Sequence, residues 1–245
     1  MKKERFLCSR DGLAVRGHAW GDPDSRHAVI LCHGFLANEL MCRTYARLLA
    51  GEGLLAVTFD FCGGGVICRS GGRLRDMTVL TEKADLLAVI GAVKEKYAPE
   101  KISLLGLSQG GFVSGLVAAE LGEIEKLIMF YPAVCIPDDA RSGKMMFYRF
   151  DPGDIPPMLG KFPVKLGGDY ARAVVGMDPY KELSGFDGPV LLVHGTRDAI
   201  VNIRYARRLK DVYADCLYRE IGGAGHVFRG RYDRIARALL LDFMQ

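Results

Sequence analysis

The chain has 245 residues, 49% of them apolar and 25% charged, with a formal net charge of +4. That length suits one large domain, or one domain carrying an insertion, and the composition is that of a soluble globular protein. The mild charge, with no basic tail or dense arginine cluster, argues against a nucleic-acid partner; Arg204, Arg207 and Arg208 read as one solvated helix face.

Seven cysteines, at positions 8, 32, 42, 62, 68, 135 and 216, form no C-x-x-C pair. Metal-ligand spacing is absent and a disulfide framework is not expected. Several of these thiols sit in apolar runs, where they behave as small core residues, and a reducing cytoplasm is the expected setting. Met1-Lys2-Lys3-Glu4-Arg5 offers charge but no apolar stretch of signal-peptide length. No run of about 18 apolar residues is present to span a bilayer, so no membrane partner is expected.

In chain order, Phe6 to Cys8 and Leu13 to Trp20 read as two opening strands, the second alternating enough to start the sheet as an antiparallel hairpin. Apolar strand-like runs follow at Ala28 to Cys32, Leu54 to Phe59, Lys101 to Gly106, Lys126 to Tyr131 and Pro189 to His194. Between them Arg43 to Ala50, Thr81 to Tyr97, Gly111 to Leu121 and Ile203 to Tyr213 carry helical patterns; in the second, Ala84, Leu87, Ala88, Val93 and Tyr97 roughly follow one stripe. A short strand, Cys216 to Ile221, and a helix, Arg231 to Met244, close the chain. Strands alternating with helices predict an α/β fold, a mostly parallel sheet of about eight strands covered on both faces.

The rhythm stops from Ala133 to Asp187. That stretch holds Pro137, Pro152, Pro156, Pro157, Pro163 and Pro179, and the aromatics Phe147, Tyr148, Phe150, Phe162, Tyr170, Tyr180 and Phe186. So long an irregular segment inside a compact domain is either a surface insertion or functional. Its place between two sheet strands favours a cap, which divides the chain into a core of residues 1–132 and 188–245 and a cap of residues 133–187.

The chemistry concentrates at Gly106-Leu107-Ser108-Gln109-Gly110. A G-x-S-x-G turn between an apolar strand and a helix is a nucleophile elbow, in which small neighbours let a serine hydroxyl stand clear of the sheet. The serine needs a base. Of five histidines only His194 and His226 follow it, and His226 lies in the glycine-rich loop Gly222 to Phe228, which can place an imidazole over the elbow. His194 reads as a strand-end residue. The acid is expected between serine and histidine. Asp198 is best placed, with Asp138 and Asp139 as runners-up; its alternative role is to cap a following helix. Two backbone amides are expected to hold an oxyanion, that of Gln109 after the nucleophile and that of Phe35 in His33-Gly34-Phe35, with His33 supporting the loop. Cys62 to Gly65 and Ser70 to Gly72 lack a dinucleotide or Walker pattern and read as a loop bordering the site.

These pieces resemble the α/β-hydrolase superfamily across nearly the whole chain. More narrowly, His33-Gly34-Phe35, Phe59-Asp60-Phe61, Asp76-Met77-Thr78, the Ser108 elbow, Leu166 to Tyr170, His194 to Asp198 and Gly225-His226 resemble the cinnamoyl (feruloyl) esterase branch. The resemblance implies an α/β-hydrolase fold, and cap contacts from Asp139 and Tyr170 to the phenolic hydroxyls of an acyl group. Met146 stands where family members carry a helpful glutamine, and Gly63-Gly64-Gly65 where many carry Gly-His-Gly. Both departures bear on the hydroxycinnamate substrate and not on the triad.

The expected function is a serine carboxylesterase acting on a small-molecule ester, with Ser108, Asp198 and His226 as its triad and no cofactor or metal. A proline-type aminopeptidase and a monoacylglycerol lipase or lysophospholipase are alternatives on the same fold. A non-catalytic binding protein would need none of the three triad residues. The chain leaves room for a homodimer.

Overall fold

The computed structural model describes residues 2–146, 148–160 and 164–245; Phe147, Phe162 and Pro163 of the aromatic, proline-rich stretch lie outside them. Its first six strands are β1 (Lys3–Arg10), β2 (Leu13–Trp20), β3 (His27–Cys32), β4 (Leu55–Phe59), β5 (Lys101–Leu107) and β6 (Leu127–Phe130). Two pairs of two-residue strands follow, β7 (Lys144–Met145) with β8 (Tyr148–Arg149) and β9 (Met158–Leu159) with β10 (Leu166–Gly167). The last two strands are β11 (Val190–Gly195) and β12 (Cys216–Ile221). The eight long strands form one sheet in the order β1-β2-β4-β3-β5-β6-β11-β12. β2 runs antiparallel to both β1 and β4, and every pairing from β4 onward is parallel.

Among the described residues there are eight α-helices: α1 (Arg43–Gly51), α2 (Val79–Tyr97), α3 (Gln109–Leu121), α4 (Ile136–Arg141), α5 (Asp169–Arg172), α6 (Pro179–Leu183), α7 (Arg204–Leu209) and α8 (Arg231–Met244). The two-residue period of a strand splits the sheet into two cores. On β3, Ala28, Ile30 and Cys32 face the core shared with α2, α3 and α7, while Val29 and Leu31 face the one shared with α1 and α8. Such two-sided burial explains why β3 through β6 read as continuous apolar runs.

The expected strands are present, with ends shifted by a residue or two; the opening strand, read as Phe6 to Cys8, extends over all of Lys3–Arg10. The helix expected over Ile203 to Tyr213 is shorter: it stops at Leu209, and a turn closed by Val212 N–H on the Leu209 carbonyl carries Tyr213 into the core. Among the described residues, the segment between β6 and β11 adds no strand to the main sheet. Its helices α4, α5 and α6 and its two small hairpins pack their apolar residues onto the α2–α3 face, with Met145, Leu159, Leu166, Tyr170, Val174 and Leu183 buried in that core. No helix is long and apolar enough to cross a membrane among the described residues.

Candidate active site

Ser108 sits between β5 and α3 with φ 54° and ψ −119°, a region that only a well-supported non-glycine residue occupies. The glycines of the turn are required by close approach. A Cβ on Gly106 would lie 2.3 Å from the Gly110 carbonyl oxygen, and one on Gly110 would lie 2.4 Å from the carbonyl oxygens of both Cys32 and His33. The turn is fastened to its neighbours as well: Ser108 N–H donates to Phe130, and the Ser108 carbonyl accepts from Ala133 at 2.9 Å. The serine is 8% exposed.

His226 Nε2 lies 2.8 Å from Ser108 Oγ, and His226 Nδ1 lies 2.8 Å from Asp198 Oδ2. The Asp198 carboxylate has no solvent exposure. Its Oδ1 accepts from the N–H groups of Ile200 and Val201, each at 2.9 Å. The local turn and the partnership with His226 therefore use different oxygens of one side chain, and α7 starts only at Arg204, where Asn202 serves the first N–H. Burial alone would raise the Asp198 pKa. Hydrogen bonds from His194, His226 and the Val201 amide outweigh it and hold the carboxyl well below its usual range. Asp138 is paired with Arg141 instead, and Asp139 is half-buried with its pKa raised by burial.

His194 does more than end a strand. It is fully buried in β11, with Nε2 at 3.1 Å from Asp198 Oδ2 and 3.0 Å from the Val201 carbonyl. Two imidazoles thus share one carboxylate oxygen. The sequence does not reveal that sharing, nor the place of Tyr131. This residue follows β6 with φ 43° and sets its ring edge-on to His226 at 4.9 Å between centroids, backed by Phe228.

The loop after β3 approaches the elbow closely: a Cβ on Gly34 would stand 3.1 Å from Ser108 Cβ and 3.6 Å from Oγ. That contact sets the loop carrying Gly34 and Phe35 against the elbow, and Gln109 opens α3, where helix N-terminal amides lack intrahelical acceptors. His33 is buried beneath the loop. Its Nδ1 donates to the Gly34 carbonyl at 2.8 Å and its Nε2 accepts from Phe61 N–H at 3.0 Å, a pattern that requires the neutral ring. Burial lowers its pKa accordingly. The glycine cluster after β4 borders this loop, where Gly65 bridges to Leu36 and a Cβ on it would meet the Ala37 carbonyl oxygen at 2.2 Å.

Of the residues placed in the inserted segment, Tyr170 is buried beside Phe35, ring centroids 5.6 Å apart, and its hydroxyl donates to Gln109 Oε1. Met146 is partly exposed in the β7–β8 turn with φ 52°. A surface cavity of about 370 Å³ lies elsewhere, between β1, β2 and Arg69, and Ser108 does not line it. No cluster of metal-ligating side chains occurs among the described residues.

A doubly wound sheet with a serine on its strand-to-helix elbow, and an imidazole on that hydroxyl, defines a serine hydrolase of the α/β type. The chain belongs to the Hydrolase_4 family, described as serine aminopeptidase S33, whose model matches residues 23–152. It is similar to Est1E from Butyrivibrio proteoclasticus, solved with ferulic acid bound. The two share 27% identity and a TM-score of 0.89, over 98% of this chain and 99% of that one. A monoacylglycerol lipase of Mycolicibacterium smegmatis is 26% identical over 86% of this chain and 84% of its own length. An esterase of Pyrococcus furiosus, at 21% identity and TM-score 0.76 over 99% of this chain and 91% of that one, shares the fold.

Proposed function

We propose that this hydrolase is a carboxylesterase of small-molecule esters, with a hydroxycinnamate-type acyl group as its preferred substrate. The observation that carries the reading is the unbroken line Ser108 Oγ, His226 Nε2, His226 Nδ1 and Asp198 Oδ2, with 2.8 Å at each of its two hydrogen bonds. Ser108 attacks the ester carbonyl as His226 takes its proton, and Asp198 stabilises the imidazolium. The negative charge that grows on the carbonyl oxygen meets the Phe35 and Gln109 amides at the positive end of α3. His226 then returns the proton to the departing alcohol. Water, deprotonated by the same imidazole, releases the acid from the acyl-enzyme.

The acyl preference rests on the likeness to Est1E with its ferulic acid, over nearly the full length of both chains. Tyr170 supports it: with its O–H given to Gln109, the phenolic oxygen still has lone pairs to accept from a substrate hydroxyl. The described part of residues 133–187, packed across the α2–α3 face, would supply the acyl side of the site as a cap. A monoacylglycerol is the second reading, favoured by the mycobacterial relative. The peptidase named in the family description needs a free carboxylate for the substrate's amino group; of the candidates Asp138, Asp139, Asp151 and Asp154, Asp138 is engaged by Arg141, and the prolyl amide tests the rest.

Initial rates on methyl ferulate, short acyl esters, a monoacylglycerol and a prolyl amide decide among these. The esterase reading expects methyl ferulate to have the highest kcat/KM. A preference for monoacylglycerol or the amide would replace it.

A further inference from the structure

Glu82 is a buried carboxyl group that the reaction above does not use. It sits in the first turn of α2, which Thr78 and Thr81 start with a reciprocal capping box. That cap fixes the helix so that Glu82 points under the nucleophile elbow. Its Oε2 accepts from Gln109 Nε2 at 2.7 Å, and Met77 Sδ lies 3.7 Å from the same nitrogen. Gln109 Oε1 in turn accepts from the Tyr170 hydroxyl. Three otherwise separate pieces are thereby joined: α2 with the Asp76-Met77-Thr78 stretch that leads into it, the elbow, and α5 of the inserted segment. Glu82 Oε1 has no partner among the described residues, and the side chain is fully buried.

Deepening the esterase reading and resting on its nucleophile, we propose that Glu82 is a positioning residue for the elbow, acting through the Gln109 amide and the Tyr170 hydroxyl, and that its neutral carboxyl is the working form. An ionised carboxylate here would be an uncompensated buried charge one side chain away from the Gln109 N–H that receives the oxyanion. Like charges so placed oppose one another strongly in a low-dielectric interior.

The surroundings agree. Burial, with a smaller push from Asp85, raises the Glu82 pKa to about 8 against the opposing bond from Gln109. The groups facing it are Asp85 on its own helix, Cys32 from β3 and Tyr170 from α5, and none is cationic. Arg10 of β1 is spent on the neighbouring Asp85 at 2.7 Å, and Lys83 is paired with Glu120. Tyr170 and Cys32 are held protonated by burial, so neither supplies a competing titration at neutral pH.

The test is the second-order rate of fluorophosphonate labelling at Ser108 from about pH 6 to about pH 10. This probe uses the elbow and the oxyanion amides and needs no particular ester. The wild-type rate should fall several-fold as pH passes about 8, and Glu82→Gln, neutral at every pH, should lose that fall. Gln109→Leu keeps the backbone amide and removes the bond that lowers the Glu82 pKa. It should move the alkaline limb upward, and it serves alone if Glu82→Gln does not fold. An alkaline limb unchanged in a folded variant, or no limb in the wild type, overturns the proposal. Failure of the ester panel with these labelling profiles intact would remove the substrate reading and leave Glu82 in place.

Discussion

At the scale of single residues, the site separates groups that act from groups that hold. Ser108→Ala should fold normally and lose about three orders of magnitude or more in kcat/KM, since the remaining partners of a nucleophile contribute little without it. Asp198→Asn keeps the shape of the acid but hands His226 the wrong hydrogen-bond pattern. A drop of about 10³–10⁴-fold in kcat, with KM little changed, is expected from steady-state kinetics. His194→Gln loses one of two imidazole contacts to Asp198 Oδ2. A loss of about ten- to a hundredfold in kcat, the worth of one hydrogen bond to a charged acceptor, places it between the two classes. Tyr170→Phe releases Gln109 and should slow all substrates. An added several-fold loss on hydroxylated cinnamates, about 0.5–1.5 kcal/mol, marks a direct contact with the phenol. Equal losses on hydroxylated and plain cinnamate esters would assign Tyr170 to the elbow alone.

At the scale of elements, the elbow is a packing problem solved by glycine. A methyl group on Gly106 has no place to go, since both contacts that it meets within 2.4 Å are backbone atoms of the following helix turn. Gly106→Ala should therefore cost about 1–3 kcal/mol or more of stability, read as a lowered urea midpoint, and impair catalysis in whatever folds. The elbow was legible in the sequence because its requirements are contiguous: strand, turn and helix fall within 20 residues or so, and chemistry dictates each glycine. The strands of the sheet were legible for a related reason, because β3 to β6 are buried on both faces and read as unbroken apolar runs. What the sequence withheld are partnerships across long separations. Glu82 and Gln109 lie 27 residues apart, Gln109 and Tyr170 61 apart, and no periodicity links them. Tyr131 looks like the end of an apolar strand until its backbone turns and sets its ring edge-on to His226. The small hairpins of the inserted segment are too short to leave a pattern at all, and α7 looked longer because Val212 and Tyr213 continue its apolar stripe after the chain has turned.

At the scale of the whole molecule, buried titratable groups set how stability depends on pH. Asp198 has a folded pKa below its ordinary value of 3.8, so it contributes stability above that value and loses it as pH falls through the acid range. His33, buried neutral, acts in the same direction, since protonation below its ordinary value of 6.5 favours the unfolded chain. Glu82 acts oppositely. Its pKa is raised from 4.5 to about 8, so the folded state holds a proton that the unfolded state has released, and stability declines as pH rises between those values. Thermal melts should therefore show Glu82→Gln with a shallower decline than wild type from about pH 5 to about pH 8, and with a higher Tm than wild type at the alkaline end. Parallel melting curves across that range would contradict this assignment of the proton.

The proposed chemistry makes this hydrolase an esterase that works through Ser108. Release of ferulate from methyl ferulate, measured for wild type beside Ser108→Ala, tests it most directly. Wild type should turn the ester over, and the variant, equally folded, should fall by about three orders of magnitude or more. Substantial ferulate release by Ser108→Ala would contradict it, and none by a wild type that still reacts with a fluorophosphonate would contradict the hydroxycinnamate substrate.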